Sequence, residues 1–284
     1  MSDSRVFHPI GVWFEGRPDW AGSPAEPAAA AVYYDRCFAD LAAHGVNAAV
    51  VTNTPVPLRT TILAAADRQG LRIVLDLPEF HPAIRGDGPI DEAAVRAEAR
   101  KTVQTLGVHD SLLAYQIYDE PENRMVRNWL AVRDIFAELD PVRPPFSCFC
   151  RAESLGLVTA RTDLPQAVFD IYPLRPDTLE NDLTEFDSTL AAFRDAARCN
   201  PMWVVLQSFA KKDFWRYPTF EELLAMADRS LTAGAEGLFF FLYQSLPNHP
   251  EQLEGLLDNE GRETPLYRGV GEAASELQRR LNGA

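Results

Sequence analysis

The residues best equipped for chemistry in this 284-residue chain are carboxylates that terminate apolar runs. Two stand side by side in Tyr118-Asp119-Glu120-Pro121-Glu122, directly after the run Leu112 to Tyr118. Placing consecutive carboxylates at the end of a buried strand costs desolvation energy, so their position argues for a use. Each carboxylate also raises the pKa of its neighbour, which can hold a proton near neutral pH for general acid catalysis. The structural alternative is a helix start, with Pro121 in the first turn and Asp119 as its cap. Neighbours in an extended strand point to opposite sides, so spacing alone does not tell whether both side chains share one site.

Other polar residues end similar runs. They are Trp13 and Glu15, Thr52 and Asn53, Asp76 and Glu79, Arg151 and Glu153, Asp170 and Tyr172, Gln207, and Tyr243 with Gln244. The five histidines form neither H-x-H nor H-E-x-x-H, and the four cysteines form no C-x-x-C, so no metal site is expected. His81 follows Pro78-Glu79-Phe80 near the candidate site but reads as a surface histidine, and all four cysteines read as reduced thiols. The serine signature G-x-S-x-G is missing, which argues against an acyl hydrolase. No dinucleotide or phosphate-binding glycine loop follows the first strand, and no cofactor is expected.

To bring these residues together, the chain needs parallel strands whose carboxyl ends face one way. Eight apolar, β-branched or aromatic runs recur: Ile10 to Phe14, Val46 to Thr52, Leu71 to Leu77, Leu112 to Tyr118, Pro145 to Cys150, Ala167 to Tyr172, Met202 to Phe209, and Gly237 to Ser245. Between them lie segments with apolar residues at helical spacing, such as Tyr33 to Gly45 and Phe220 to Gly237. Gly45, Gly70, Gly107 and Gly234 follow such segments, where a left-handed cap ends a helix before the next strand. Near-continuous apolar strands alternating with helices predict a single (β/α)8 TIM barrel over residues 1–284, with catalytic groups at the carboxyl ends of the strands. Phe239, Phe240 and Phe241 are expected in the core or against helices.

Composition bounds the partners. A net charge of -14 disfavours nucleic acid and anionic membrane surfaces. No apolar run reaches membrane-spanning length and the amino terminus lacks a signal-peptide pattern, so the expected compartment is the cytoplasm. Neither charge nor pattern bears on oligomeric state.

Several segments carry a family likeness: YDEPE after the fourth run, DPVRPPF (Asp140 to Phe146) into the fifth, DIYP (Asp170 to Pro173) after the sixth, and PMWVVLQSF (Pro201 to Phe209). Pro218 to Tyr243 adds a last helix and strand. With these motifs the chain resembles the barrel glycoside hydrolases, particularly clan A. The resemblance implies a small carbohydrate substrate and assigns the general acid/base to Glu120, with Asp119 in place of the family's Asn. It also exposes a departure, because Gln207 stands where the clan carries its nucleophilic glutamate on strand seven. A second carboxylate must then come from elsewhere, and Asp170 is the favoured partner among Asp170, Glu15, Asp76 and Glu79. In that setting Trp13, Phe14, Tyr172, Trp215, Tyr217 and Tyr243 would offer stacking faces for pyranose rings. Asn53, Gln207 and Gln244 would bond hydroxyls, beside Glu15 and Asp76. Two other functions fit the same residues: a carbohydrate-binding barrel that does not hydrolyse, and a lyase or isomerase using the same carboxylates.

Overall fold

The computed structural model describes residues 7–281. Eight barrel strands appear where the apolar runs place them. They are β1 (Ile10–Glu15), β2 (Ala48–Thr52), β3 (Arg72–Asp76), β4 (Leu112–Gln116), β5 in two pieces (Pro145–Phe146 and Cys148–Phe149), β6 (Ala167–Ile171), β7 (Met202–Gln207) and β8 (Ala235–Phe241). All pair in parallel, and β1 lies between β2 and β8. Going round from β1, one arm runs through β2, β3 and β4 to the first piece of β5, and the other through β8, β7 and β6 to the second. The sheet therefore begins and ends on one strand broken at Ser147, and the barrel is nearly closed.

A helix follows each strand: Pro27–Ala43, Val56–Gln69, Glu92–Leu106, Val126–Leu139, Ala152–Thr159, Thr184–Ala197, Phe220–Thr232 and Pro265–Leu281. Local chemistry sets several ends. Thr219 and Glu222 form a reciprocal capping box, and Asp91 accepts from the Ala94 N–H. Gly45, Gly70 and Gly234 are left-handed as expected, whereas Gly107 has φ -68° and ends its helix without that conformation. No helix among the described residues is long and apolar enough to cross a membrane.

Period-two alternation sorts each strand. Trp13, Val50, Val74, Ala114, Phe146, Val168, Val205 and Phe239 fill the barrel interior, while their neighbours pack outward against the helices. Two residues further along, the same inward face turns polar: Glu15, Thr52, Asp76, Gln116, Asp170 and Gln207, with Phe241 on β8. The site is the layer in which the apolar core gives way to polar groups.

Candidate active site

Asp119 and Glu120 both line a cavity of about 300 Å³ at the carboxyl end of the barrel. Backbone geometry lets consecutive residues do this. Glu120 takes φ +49°, a left-handed conformation rare for a residue with a Cβ, so the chain reverses there instead of alternating. The turn is held by the Glu120 N–H donating to Cys148 O (3.0 Å) and by Ser147 Oγ donating to Tyr118 O (2.5 Å). Trp129 Nε1 in turn donates to Ser147 Oγ at 2.6 Å. Asp119 is not a helix cap. The following helix begins only after a turn of 3-10 helix at Asn123–Met125, and Asp119 Oδ1 instead accepts from Gln116 Nε2 at 3.0 Å.

Asp170, at the inward end of β6, lines the same cavity. Burial, reinforced by the negative charge of Glu120, raises its carboxyl to about 7. The Cys148 thiol donates to its Oδ1 at 3.7 Å. Glu120 is also raised, chiefly by burial, with Glu251 adding to the effect and the Cys150 thiol opposing it. Asp119 lies well above the carboxylate range because burial and its neighbours Glu120, Asp170 and Asp76 all disfavour its anion. Both Asp119 and Glu120 present surface to the cavity, yet they sit in a well whose walls limit their hydration. One wall is aromatic: Phe209 meets Trp215 and Phe241 at 5.1 and 5.0 Å between ring centroids, and Tyr172 meets Phe241 at 5.6 Å.

A second lobe of about 230 Å³ shares Trp13, Asp119, Phe241, Glu251 and Leu253 with the first, making the two parts of one mouth. Its own walls include Glu15, Thr52, Asn53, Asp76, His81, Gln116 and His249. Asn53, at φ +51°, ties two carboxylates together. Its N–H donates to Asp76 Oδ2 and its Nδ2 to Glu15 Oε2, both at 3.0 Å. Glu15 Oε1 accepts from the Arg17 N–H at 2.7 Å, but burial outweighs both bonds and raises this carboxyl to about 7. His81 is not a lone surface residue, since its Nε2 lies 3.2 Å from Asp76 Oδ1 and its ring packs edge-on to Tyr118.

With this geometry in place, comparison with solved structures is informative. A GH2 beta-galacturonidase from Eisenbergiella tayi bound to galacturonate superposes with a TM-score of 0.68 at 16% identity, covering 96% of this chain and 52% of its own. A beta-glucuronidase from an uncultured Clostridium sp. gives 0.70 at 13% identity, covering 95% of this chain and 50% of its own. A beta-galactosidase from the psychrophilic Marinomonas ef1 gives 0.69 at 14% identity, covering 95% of this chain and 59% of its own. The chain shares its barrel fold with these glycosidases. The chain spans about half the length of the enzymes it superposes on. No protein-family model matches the sequence, and no curated protein is similar to it.

Within this barrel, several residues singled out by sequence fall outside the mouth. Gln207 has 0% exposure, and both ends of its amide are occupied by loop backbone. Its Oε1 accepts from Leu174 N–H (2.9 Å), and its Nε2 donates to Leu174 O (3.2 Å) and Arg216 O (2.9 Å). It pins two loops and lines neither lobe. Tyr243 and Gln244 lie past the end of β8, which stops at Phe241, so they leave the barrel axis and face an outer groove. Tyr243 stacks on Phe14 at 5.2 Å and donates to Asp40 Oδ2 at 3.0 Å, while Gln244 Nε2 donates to Glu15 O at 3.2 Å. Glu79 forms a two-pronged ion pair with Arg59 at 2.6 and 2.7 Å, and Tyr217 donates to Gly255 O at 2.9 Å.

Other residues enter unforeseen. Glu251 arrives on the loop after β8 and is paired with Lys211 at 2.8 Å. Gln116 and Phe241 lie on the inward faces of their strands, and the alternation that places Val74 and Asp76 could have found them. Phe239 and Phe240 are core residues as expected, but Phe241 lines the cavity. Among the described residues one group could hold a metal ion: Asp40, His44 and Glu263, on the outer groove. Asp40 already accepts from Tyr243 and Tyr267 hydroxyls, and the His44 ring stacks on Tyr267. Residues so far apart in sequence leave no spacing motif to read.

Proposed function

We propose that the chain is a glycoside hydrolase acting on a small carbohydrate, with Glu120 as general acid, Asp170 as its partner carboxylate and Asp119 assisting. The observation that carries this reading is the convergence of Asp119, Glu120 and Asp170 on one aromatic-walled cavity at the carboxyl end of the barrel. Glycosidic bond cleavage needs one carboxyl group protonated to release the leaving oxygen and a second ionised to attack or to activate water. Burial raises both carboxyls, helped at Asp170 by the charge of Glu120 and at Glu120 by that of Glu251, which favours the protonated form that a general acid needs. Trp13, Tyr172 and Trp215 supply faces on which a pyranose can stack.

A panel of α- and β-linked aryl glycosides and disaccharides, run with Glu120→Gln alongside, tests the proposal. Sugar release that falls at least about a hundredfold in the variant while sugar binding persists is the expected result. Turnover unchanged by Glu120→Gln removes Glu120 from the mechanism. A second reading, a sugar-binding barrel without hydrolysis, draws on the occupied amide of Gln207, which leaves the family's nucleophile position without a carboxylate. Binding without turnover in both proteins would favour it.

A further inference from the structure

The polar groups of the mouth are unevenly matched. Six carboxylates line its two lobes: Glu15, Asp76, Asp119, Glu120, Asp170 and Glu251. Neither lobe is lined by a lysine or arginine among the described residues, and the Lys211 ammonium, 5.7 Å from the Trp215 ring centroid, is paired with Glu251.

Each side-chain amide, hydroxyl and imidazole group in the second lobe, His249 Nε2 apart, already makes a bond within the protein. Asn53 donates its N–H to Asp76 and one Nδ2 hydrogen to Glu15, Gln116 donates one Nε2 hydrogen to Asp119, and the Thr52 hydroxyl points to Phe14 O. His81 is engaged with Asp76, and His249 uses Nδ1 to accept from Glu251 N–H, leaving only Nε2. Acceptors remain in surplus. The clearest is Gln116, with 0% exposure and an Oε1 that has no partner in the protein. A buried acceptor left unmatched costs free energy until a donor reaches it.

We infer that the sugar this mouth selects carries a free amine: an ammonium group seated among Glu15, Asp76, Asp119 and Glu251, with Gln116 Oε1 accepting one of its hydrogens. Three N–H donors and one positive charge complement a lobe rich in carboxyl oxygens, and a cation seated there relieves the burial and mutual repulsion that disfavour the anions of Glu15 and Asp119. A neutral sugar matches the hydrogen bonds but not the charge. A uronic acid, whose carboxylate needs cationic or N–H partners, is repelled. The inference rests on the carbohydrate reading above and specifies its substrate class.

Titration calorimetry of the intact chain with glucosamine, glucose, glucuronate and methylamine at pH 7 and low salt tests it. Glucosamine is expected to bind about tenfold tighter than glucose, with glucuronate weaker than both, since one charge-assisted contact is worth about that factor. Methylamine, which carries the charge without the ring, should bind far more weakly than glucosamine. Glu251→Lys, on an exposed loop position whose replacement leaves the barrel core untouched, should abolish the preference for glucosamine over glucose. Glucose or glucuronate binding as tightly as glucosamine overturns the inference, as does methylamine matching glucosamine or no heat with any ligand. The two proposals fail separately. Hydrolysis of neutral glycosides without amine preference leaves the hydrolase standing and removes this inference, whereas glucosamine preference without hydrolysis does the reverse.

Discussion

Replacing Glu15 with glutamine isolates the energetic consequence of burying a carboxyl group in the mouth. Glu15 is 5% exposed and its carboxyl is raised from 4.5 to about 7, mainly by desolvation. In the unfolded chain the group ionises near its ordinary value; in the fold it holds its proton longer. Between those values the native state binds more protons, so stability falls as pH rises. The loss is negligible below pH 4.5 and complete above about 7. At about 1.4 kcal/mol per pH unit, the full interval corresponds to about 3 kcal/mol, and about 2 kcal/mol of it falls between pH 5 and 8. Urea unfolding of the wild type and Glu15→Gln at these two pH values gives the assay. Lost or altered contacts with Asn53 and Arg17 affect both pH values alike and cancel in the double difference. The variant should therefore lose about 2 kcal/mol less than the wild type on going from pH 5 to 8. Equal losses in the two proteins would mean that Glu15 ionises normally in the fold and that the mouth does not desolvate it.

Two further expectations follow from the site. If Asp170 acts in its ionised form with a carboxyl near 7, kcat/KM should fall on the acid side by about tenfold per pH unit below that value, and Asp170→Asn should eliminate turnover; a flat profile from pH 5 to 7 would exclude that role. Gln207→Glu should lower unfolding stability by about 3 kcal/mol without creating activity, because a carboxylate cannot donate to Leu174 O and Arg216 O in a site with no exposure; unchanged stability with new turnover would contradict the structural role given to Gln207.

Legibility followed physical range. The strands could be read because doubly buried parallel strands are apolar throughout, and the residues ending them followed from period two. Glu15, Asp76 and Asp170 reached the mouth for that reason. Sequence could not show that Asp119 and Glu120 share a side, because that depends on a single left-handed residue. Tyr243 was misplaced because the apolar run continues past the point where β8 leaves its neighbours, and apolar content does not mark the end of a hydrogen-bonded ladder. Gln207 sits at the expected inward position, but which groups meet its amide is decided by loops after β6 and β7 that carry no periodic signal. Glu251 was out of reach for the same reason: a loop after the last strand brings it back over the mouth.

The break in β5 lies between the two groups of carboxylates. Asp119 and Glu120 hang from the β4 arm of the barrel and Asp170 from the β6 arm, and the ladder between those arms is interrupted at Ser147. The gap is spanned by the chain itself and by a few bonds, including Ile117 N–H to Phe146 O at 3.3 Å and Glu120 N–H to Cys148 O at 3.0 Å. The width between opposing carboxyl groups separates direct attack on a sugar from attack by an interposed water, about 5 to 5.5 Å against 6.5 to 9.5 Å. On the proposed hydrolase reading, that separation is set where one strand passes its pairing from one arm of the barrel to the other, beside Ser147 and the Trp129 ring that donates to it.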